Sequence, residues 1–282
     1  MENQETPTIK RYEKAYVAML DILGFKEFVT HADPETILST FDKLTTIVTN
    51  RLTHTIKFDN KGNLTVVQNE HQDFNYVIIS DTILIWSENI DYNSFYTILY
   101  VVKHIMYHAF KLHIPLRGAI VVGSMALFDR REQTNKINVQ ASFVGKAIVS
   151  AYELGNSQDW SGCYITDECV QEGIIEFEKF KNENSNDKNF IEAIENVHES
   201  NMQCIVKLPI PFKSGNQEGN ALQWVEIGEA DPINIEQIEE TFAINKNYRG
   251  QSSVKIKIKN TEEFVKKITL DMITENKTKF IF

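Results

Sequence analysis

Cysteine is scarce in this chain: Cys163, Cys169 and Cys204 are the only three in 282 residues. Their spacing is too irregular for a disulfide framework or a zinc cluster, and a reducing compartment suits them. Long apolar runs are missing too. None approaches the roughly 20 residues that a membrane helix needs, and the opening MENQETPTIKRYEK is too polar and charged for a signal peptide. Positive charge is in deficit, with 29 Lys and Arg against 39 Asp and Glu and a net charge of −10. Duplex binding runs on phosphate neutralisation, for which such a chain is a poor candidate. A small phosphate ligand carried by metal ions remains allowed. These absences describe a soluble, cytoplasmic protein with neither nucleic acid nor membrane as a partner. There is no internal repeat and no clean linker. Residues 1–13 read as a polar tail and 14–282 as a single domain, whose 42% hydrophobic content can fill a sizeable core.

The stretch AYVAMLDILGF, Ala15 to Phe25, is what the rest is organised around. Its apolar run reads as a buried strand that delivers one carboxylate, Asp21, and breaks at Leu23-Gly24-Phe25. An ionised Asp among apolar residues is costly without a counter-charge or a metal. The chain repeats the device in FNYVIISDTILIW, which brings Asp81 to the middle of an apolar hairpin, Phe74 to Trp86. Two strand-borne carboxylates, each beside a backbone turn, suit a two-Mg²⁺ phosphate site. The plainer alternative is that Asp21 caps the following helix and Asp81 serves a hairpin turn.

In chain order, Asp33-Pro34-Glu35 is a helix start, and Ile37, Phe41, Leu44 and Val48 follow at helical spacing. Thr55 to Asp73 is polar with a Lys61-Gly62-Asn63 turn, either an extra hairpin or a loop. A second helix spans about Asn93 to Leu112. LRGAIVVGSMALF is a strand bearing Arg117, Gly118 and Gly123, followed by a turn, DRREQTNK, and the strand INVQASFV. Gly145 opens the helix KAIVSAYEL, and CYIT is a short strand. This β-α-β-β-α-β order predicts an α+β fold: a ferredoxin-like antiparallel sheet with helices on one face and an elaborated C-terminus. There, KNENSNDKN reads as a mobile polar segment. QCIVKLPIPF and ALQWVEIG read as strands about a KSGNQEGN turn, and INIEQIEETFAI as a helix. SSVKIKIK reads as a strand or the lead-in to a terminal helix, TEEFVKKITLDMI.

LDILGF, then SDT at a hairpin, then LRGAIVVGS, then FVGKAIVSAYEL resembles the class III nucleotidyl cyclases. That family carries an FxDIxGF strand, a second metal-binding Asp in a hairpin, an RxGxxxG strand and a VGxxVNxAxRL helix. The match runs in the right order over about 15–170, and its variants look most like the bacterial Pycsar anti-phage cyclases, which make cyclic UMP or cyclic CMP. The resemblance implies that two divalent ions, Mn²⁺ or Mg²⁺, are held by Asp21, Asp81 and the Ile22 carbonyl. It implies that backbone around Ile22, Leu23, Gly24 and Phe25 cradles phosphate oxygens. It also implies a head-to-tail homodimer with shared sites, in which the Gly145–Leu154 helix lies across the partner's site.

Departures from the family pattern bear on the substrate. Where purine cyclases carry a base-reading Lys, this chain has Val77, and their second base contact falls near Ser142. Neither reads adenine in the usual way, which favours UTP or CTP and makes Tyr76, Val77 and Ser142 the candidate base pocket. The helix Asn and Arg that steady the family's transition state fall at Val149 and Glu153. Another cation, Lys146, Arg117 or Arg249, would have to replace them; the alternative for Arg117 is a pairing with a surface carboxylate. His104 and His108 have a legal zinc spacing but no third ligand. Trp160 and Trp224 read as packing residues. The resulting expectation is a pyrimidine nucleotide cyclase making cUMP ahead of cCMP for a separate effector in anti-phage defence. Two alternatives stand beside it: a non-catalytic cyclase-fold regulator and a purine (adenylate or guanylate) cyclase.

Overall fold

In a computed structural model, residues 8–52, 54–58, 64–68, 74–131, 139–184, 187–225, 233–242 and 252–274 are described. The strands are β1 (Thr8–Ile22), β2 (His54–Phe58), β3 (Leu64–Gln68), β4 (Phe74–Ile79), β5 (Thr82–Ser87), β6 (Leu116–Arg131), β7 (Val139–Val144), β8 (Cys163–Ile165), β9 (Ile205–Phe212) and β10 (Gly215–Leu222). The helices are α1 (Phe25–His31), α2 (Pro34–Leu52), α3 (Tyr92–Lys111), α4 (Lys146–Ser157), α5 (Asp167–Glu183), α6 (Lys188–Met202), α7 (Ile235–Phe242) and α8 (Ser252–Thr274). Among the described residues no helix is long and apolar enough to cross a membrane.

The main sheet runs β4-β5-β1-β6-β8-β10-β9, with β7 paired to the far half of β6. Its first four strands are antiparallel to one another. Each helical crossover, β1 to β4 and β5 to β6, skips one strand, which is the split arrangement of a ferredoxin-like α+β fold. The sheet is not purely antiparallel, because β8 joins β6 in parallel.

Side chains alternate across a strand, so β1 feeds two cores. Tyr16, Ala18, Leu20 and Ile22 face α2 and α3. That layer is deep enough to bury α3 on nearly every side, as expected of a helix apolar all round. Ala15 and Val17 face the other way, with Trp86, Ala119, Val121 and the α4 residues Ala147 and Ala151. The expectation of helices on one face therefore holds for α2 and α3, while α4 lies across the opposite face.

Glycines make the seat for α4. A methyl group at Gly155 would stand 3.4 Å from the Gly118 Cα, and one at Gly123 would stand 3.4 Å from the Ala147 Cβ. Gly118 is tighter on its strand side, where an added Cβ would fall 2.2 Å from the Met19 carbonyl oxygen. Gly118→Ala should thus cost about 2 kcal/mol through forced backbone displacement, whereas Gly123→Ala should be tolerated. Urea unfolding of both variants checks this; equal stabilities would contradict the packing.

The structure corrects several sequence expectations and decides between the alternatives in two others, Thr55–Asp73 and SSVKIKIK. The polar stretch taken for a tail continues as strand from Thr8, pairing with β6 through a register shift between Tyr12 and Ala15. Thr55–Asp73 contains a hairpin, β2–β3, whose Lys61-Gly62-Asn63 turn lies outside the described residues. The DRREQTNK segment is strand through Arg131, and its remainder lies outside them too. KNENSNDKN ends α5 and starts α6, where Asp187 accepts from the Asn189 and Phe190 amides; its residues 185–186 lie outside the described residues. The KSGNQEGN turn is mostly strand β10, paired from Gly215↔Phe212 onward. SSVKIKIK is helical and continuous with TEEFVKKITLDMI in α8.

Candidate active site at the end of the central strands

Asp21 and Asp81 meet at one end of the sheet. Asp21 stands near the end of β1, in register with Thr82 on one side and Arg117 on the other. Asp81 is the second residue of a two-residue turn whose first, Ser80, has φ 55°. The Ile22 amide donates to the Asp81 carbonyl at 3.0 Å, which fixes that turn against β1. Asp21 does not cap α1, because Gly24 occupies the N-cap position with φ 80° and no side-chain cap. That left-handed conformation is one glycine adopts without strain.

By strand parity Asp21 faces the α4 side, together with Val17 and Met19. Burial pushes its carboxyl up to about 6, against the opposing pull of the Arg117 guanidinium, and the neighbouring Asp81 adds to the rise. Arg117 is itself buried at 8% exposure. Its guanidinium donates to Asp21 Oδ2 at 3.0 Å, Asn156 Oδ1 at 3.0 Å, the Gln158 carbonyl at 2.9 Å and the Asn156 carbonyl at 3.4 Å. A cation bound to the carbonyls at a helix C-terminus complements the helix dipole. Arg117 thus clamps Asp21 to the end of α4, and its carboxylate partner is partly buried, with 26% of the Asp21 side chain exposed.

Gln158 supports the clamp. Fully buried, its side-chain amide donates to the Gly118 and Leu154 carbonyls at 2.8 Å and accepts from Trp160 Nε1 at 2.8 Å. Neither Asn156 nor Gln158 emerged from the sequence. The available signal was a polar GNSQ run closing an amphipathic helix, whose amides can satisfy a buried partner.

The other candidates divide. The Leu23 amide is committed to the Pro115 carbonyl at 2.9 Å and the Ile22 amide to Asp81, so neither N–H is open to a phosphate. Phe25 begins α1 and packs edge-on against Phe41, ring centroids 5.6 Å apart. Val77 lies on the Asp21 face of the sheet, against the α4-side core. Tyr76 points to the opposite face, where its hydroxyl lies 3.1 Å from Thr49 Oγ1 of α2. It is therefore no part of a pocket containing Asp21. Ser142 is exposed on β7 opposite Phe128, on the order of 35 Å along β6 from Arg117 at about 3.3 Å per residue. Lys146 is exposed at the start of α4, roughly 15 Å along the helix from Asn156 at 1.5 Å per residue. Val149 and Glu153 face outward from α4, and Arg249 lies outside the described residues. One chain does not bring Ser142 or Lys146 to Asp21.

Met19, Asp21, Thr82, Tyr152 and Asn156 line a cleft of about 20 Å³, room for roughly one water molecule. Among the described residues no three His, Cys, Asp or Glu side chains are grouped to hold a metal. The Asp21/Asp81 pair still suits a hard divalent cation, which takes oxygen ligands and commonly uses only one or two carboxylates beside phosphate. In the histidine pair, His108 Nε2 lies 2.6 Å from the Arg51 guanidinium, which disfavours a second cation there. Trp160 and Trp224 are fully buried packing residues.

Comparison with known proteins gives similar solved structures. The adenylyl cyclase CyaB from P. aeruginosa is 13% identical, over 79% of this chain and 98% of that one, with a TM-score of 0.45. The guanylate cyclase domain of RhGC from Catenaria anguillulae, in complex with GTP, is 12% identical over 76% and 97%, with a TM-score of 0.44. The guanylyl cyclase Cya2 is 11% identical over 78% and 95%, with a TM-score of 0.40. No family model matches the chain, and no curated protein matches it.

Proposed function

We propose that this chain is a class III-type nucleotide cyclase that converts UTP or CTP to the 3′,5′-cyclic monophosphate and pyrophosphate, with cUMP ahead of cCMP. One observation carries the reading: Asp21 and Asp81, from separate segments, converge at one end of the central strands. The order of the LDILGF, SDT, LRGAIVVGS and FVGKAIVSAYEL motifs supports it. In the reaction the ribose 3′-oxygen bonds to the α-phosphorus, the bond to pyrophosphate breaks, and the hydroxyl proton leaves to solvent.

Two divalent ions, Mg²⁺ or Mn²⁺, would lower the hydroxyl pKa and neutralise the triphosphate when bound. Asp21 and Asp81 would hold them, with the Ile22 carbonyl. Arg117 acts through Asp21, fixing the orientation of its carboxylate, rather than on the transition state. Gly24 keeps the turn free of a side chain where phosphate approaches. A cleft of one-water size does not enclose a nucleotide, which supports a site completed by a second copy of the chain. That copy would supply Lys146, Ser142 and the outward face of α4, where Val149 and Tyr152 are more than half exposed. The product would act on a separate effector in anti-phage defence.

Glu153 on that outward face favours a second reading, a non-catalytic nucleotide- or protein-binding regulator, because its charge opposes a developing oxyanion. The base preference separates the main reading from a purine cyclase. With four NTPs in competition and Mn²⁺ present, chromatography should give cUMP or cCMP well above cAMP and cGMP, Val77 offering a purine no hydrogen bond. Dominant cAMP or cGMP would overturn the pyrimidine assignment.

A further inference from the structure

A second cavity, of about 220 Å³, lies behind the Leu23-Gly24 turn on the face of β1 opposite Asp21. Leu23, Phe41, Leu112, Ile114, Phe242 and Val254 form its apolar wall. Most of its polar groups are already bonded. The Thr40 hydroxyl donates to the Thr36 carbonyl at 2.8 Å, the Thr241 hydroxyl reaches the Phe110 carbonyl at 3.5 Å, and the Pro115 carbonyl takes the Leu23 amide. A buried water needs two to four partners, and an apolar cavity of about 150 Å³ stays dry and takes benzene. This one has room for a bicyclic ring or a medium-length chain.

Its wall also includes two basic residues, Lys257 on α8 and the exposed His113, whose Nδ1 lies 3.4 Å from the Thr241 hydroxyl. The Lys257 side chain is only 20% exposed, and its Nζ sits 3.9 Å from Asp159 Oδ1, at the limit of an ion pair. The Ser253 carbonyl is 3.5 Å away. Burial lowers the Lys257 pKa despite Asp159, as for a cation short of compensation. We propose that this cavity is a binding site for a small apolar monocarboxylate, a medium-chain or aryl carboxylic acid, with its carboxylate on Lys257 and its hydrocarbon between α2, α7 and α8.

The cavity shares the Leu23-Gly24 turn with the Asp21/Asp81 site but opens on the other face of β1 and is tested by binding alone, so failure of either reading leaves the other intact. Titration calorimetry on the full chain uses 1-naphthoate and octanoate as acidic probes and 1-naphthalenemethanol as a neutral one. Saturable one-to-one binding of the acids is expected. Lys257→Met should weaken 1-naphthoate at least about tenfold, since truncating one side of a desolvated charge pair is costly, and leave the neutral probe unchanged. Lys257→Arg should retain acid binding. Leu112→Trp, at a partly exposed lining position, should block every probe while circular dichroism stays native. Absence of saturable binding, or affinities unmoved by both Lys257→Met and Leu112→Trp, would overturn the proposal.

Discussion

Asp21→Asn and Asp81→Asn should each reduce nucleotide cyclisation by orders of magnitude while leaving the fold in place. The site holds only two carboxylates among the described residues, so removing either halves its anionic ligand set. Stability should not follow activity. The Asp21 pKa is raised to about 6 in the folded chain, so the folded state binds that proton more tightly than the unfolded chain. The resulting stabilisation is fully present below the ordinary carboxylate range near 4 and is lost as pH rises through about 6. Raising the pH through about 6 should therefore lower the melting temperature of the parent more than that of Asp21→Asn, which lacks the titrating carboxyl. Initial rates beside melting curves check both halves; retained activity in either variant would sink the site assignment.

Arg117→Leu should be the most damaging single change to stability at the site. It strips a buried guanidinium from Asp21, the Asn156 side chain and two carbonyls at the C-terminal end of α4. Breaking a buried pair by removing one partner costs about 3–5 kcal/mol because the other charge is left uncompensated. Arg117→Lys keeps the charge but not the planar fork that reaches several acceptors at once, so it should recover only part of the loss. Activity of Arg117→Lys, measured where it is fully folded, should stay well below the parent because Asp21 is no longer held in place. Urea unfolding with rates at matched folded fraction decides this. A variant with unaltered stability would contradict the clamp.

The central strands were legible because their signal is local. An apolar run broken by Asp21 and Leu23-Gly24-Phe25, and a hairpin around Asp81, each state their own geometry. The face of a strand residue is less legible. Tyr76 and Val77 are adjacent, and only the register of β4 on β5 sends Val77 to the Asp21 face and Tyr76 to Thr49. The amide count around Leu23 was equally hidden, since its partner, Pro115, belongs to the turn after α3. In α8 the alternation VKIKIK imitates a strand, yet Val254, Thr261, Phe264, Val265 and Ile268 are buried at helical spacing and the longer pattern prevails. The first part of β10 has the composition of a turn: Gly215 to Glu218 are exposed, and an exposed strand end carries little apolar pattern. The Arg117 clamp was half legible: its strand and glycines stood out, but Asn156 and Gln158 matter only because α4 packs back onto Gly118.

The most direct test of the central claim is ³¹P NMR, recorded after chelating the metal, of the purified chain incubated with each nucleoside triphosphate and Mn²⁺. The account predicts that UTP or CTP signals give way to pyrophosphate and a single 3′,5′-cyclic phosphodiester resonance, with no such product from the Asp81→Asn chain. Unchanged triphosphates, release of inorganic phosphate without a cyclic product, or the same product from Asp81→Asn would contradict it.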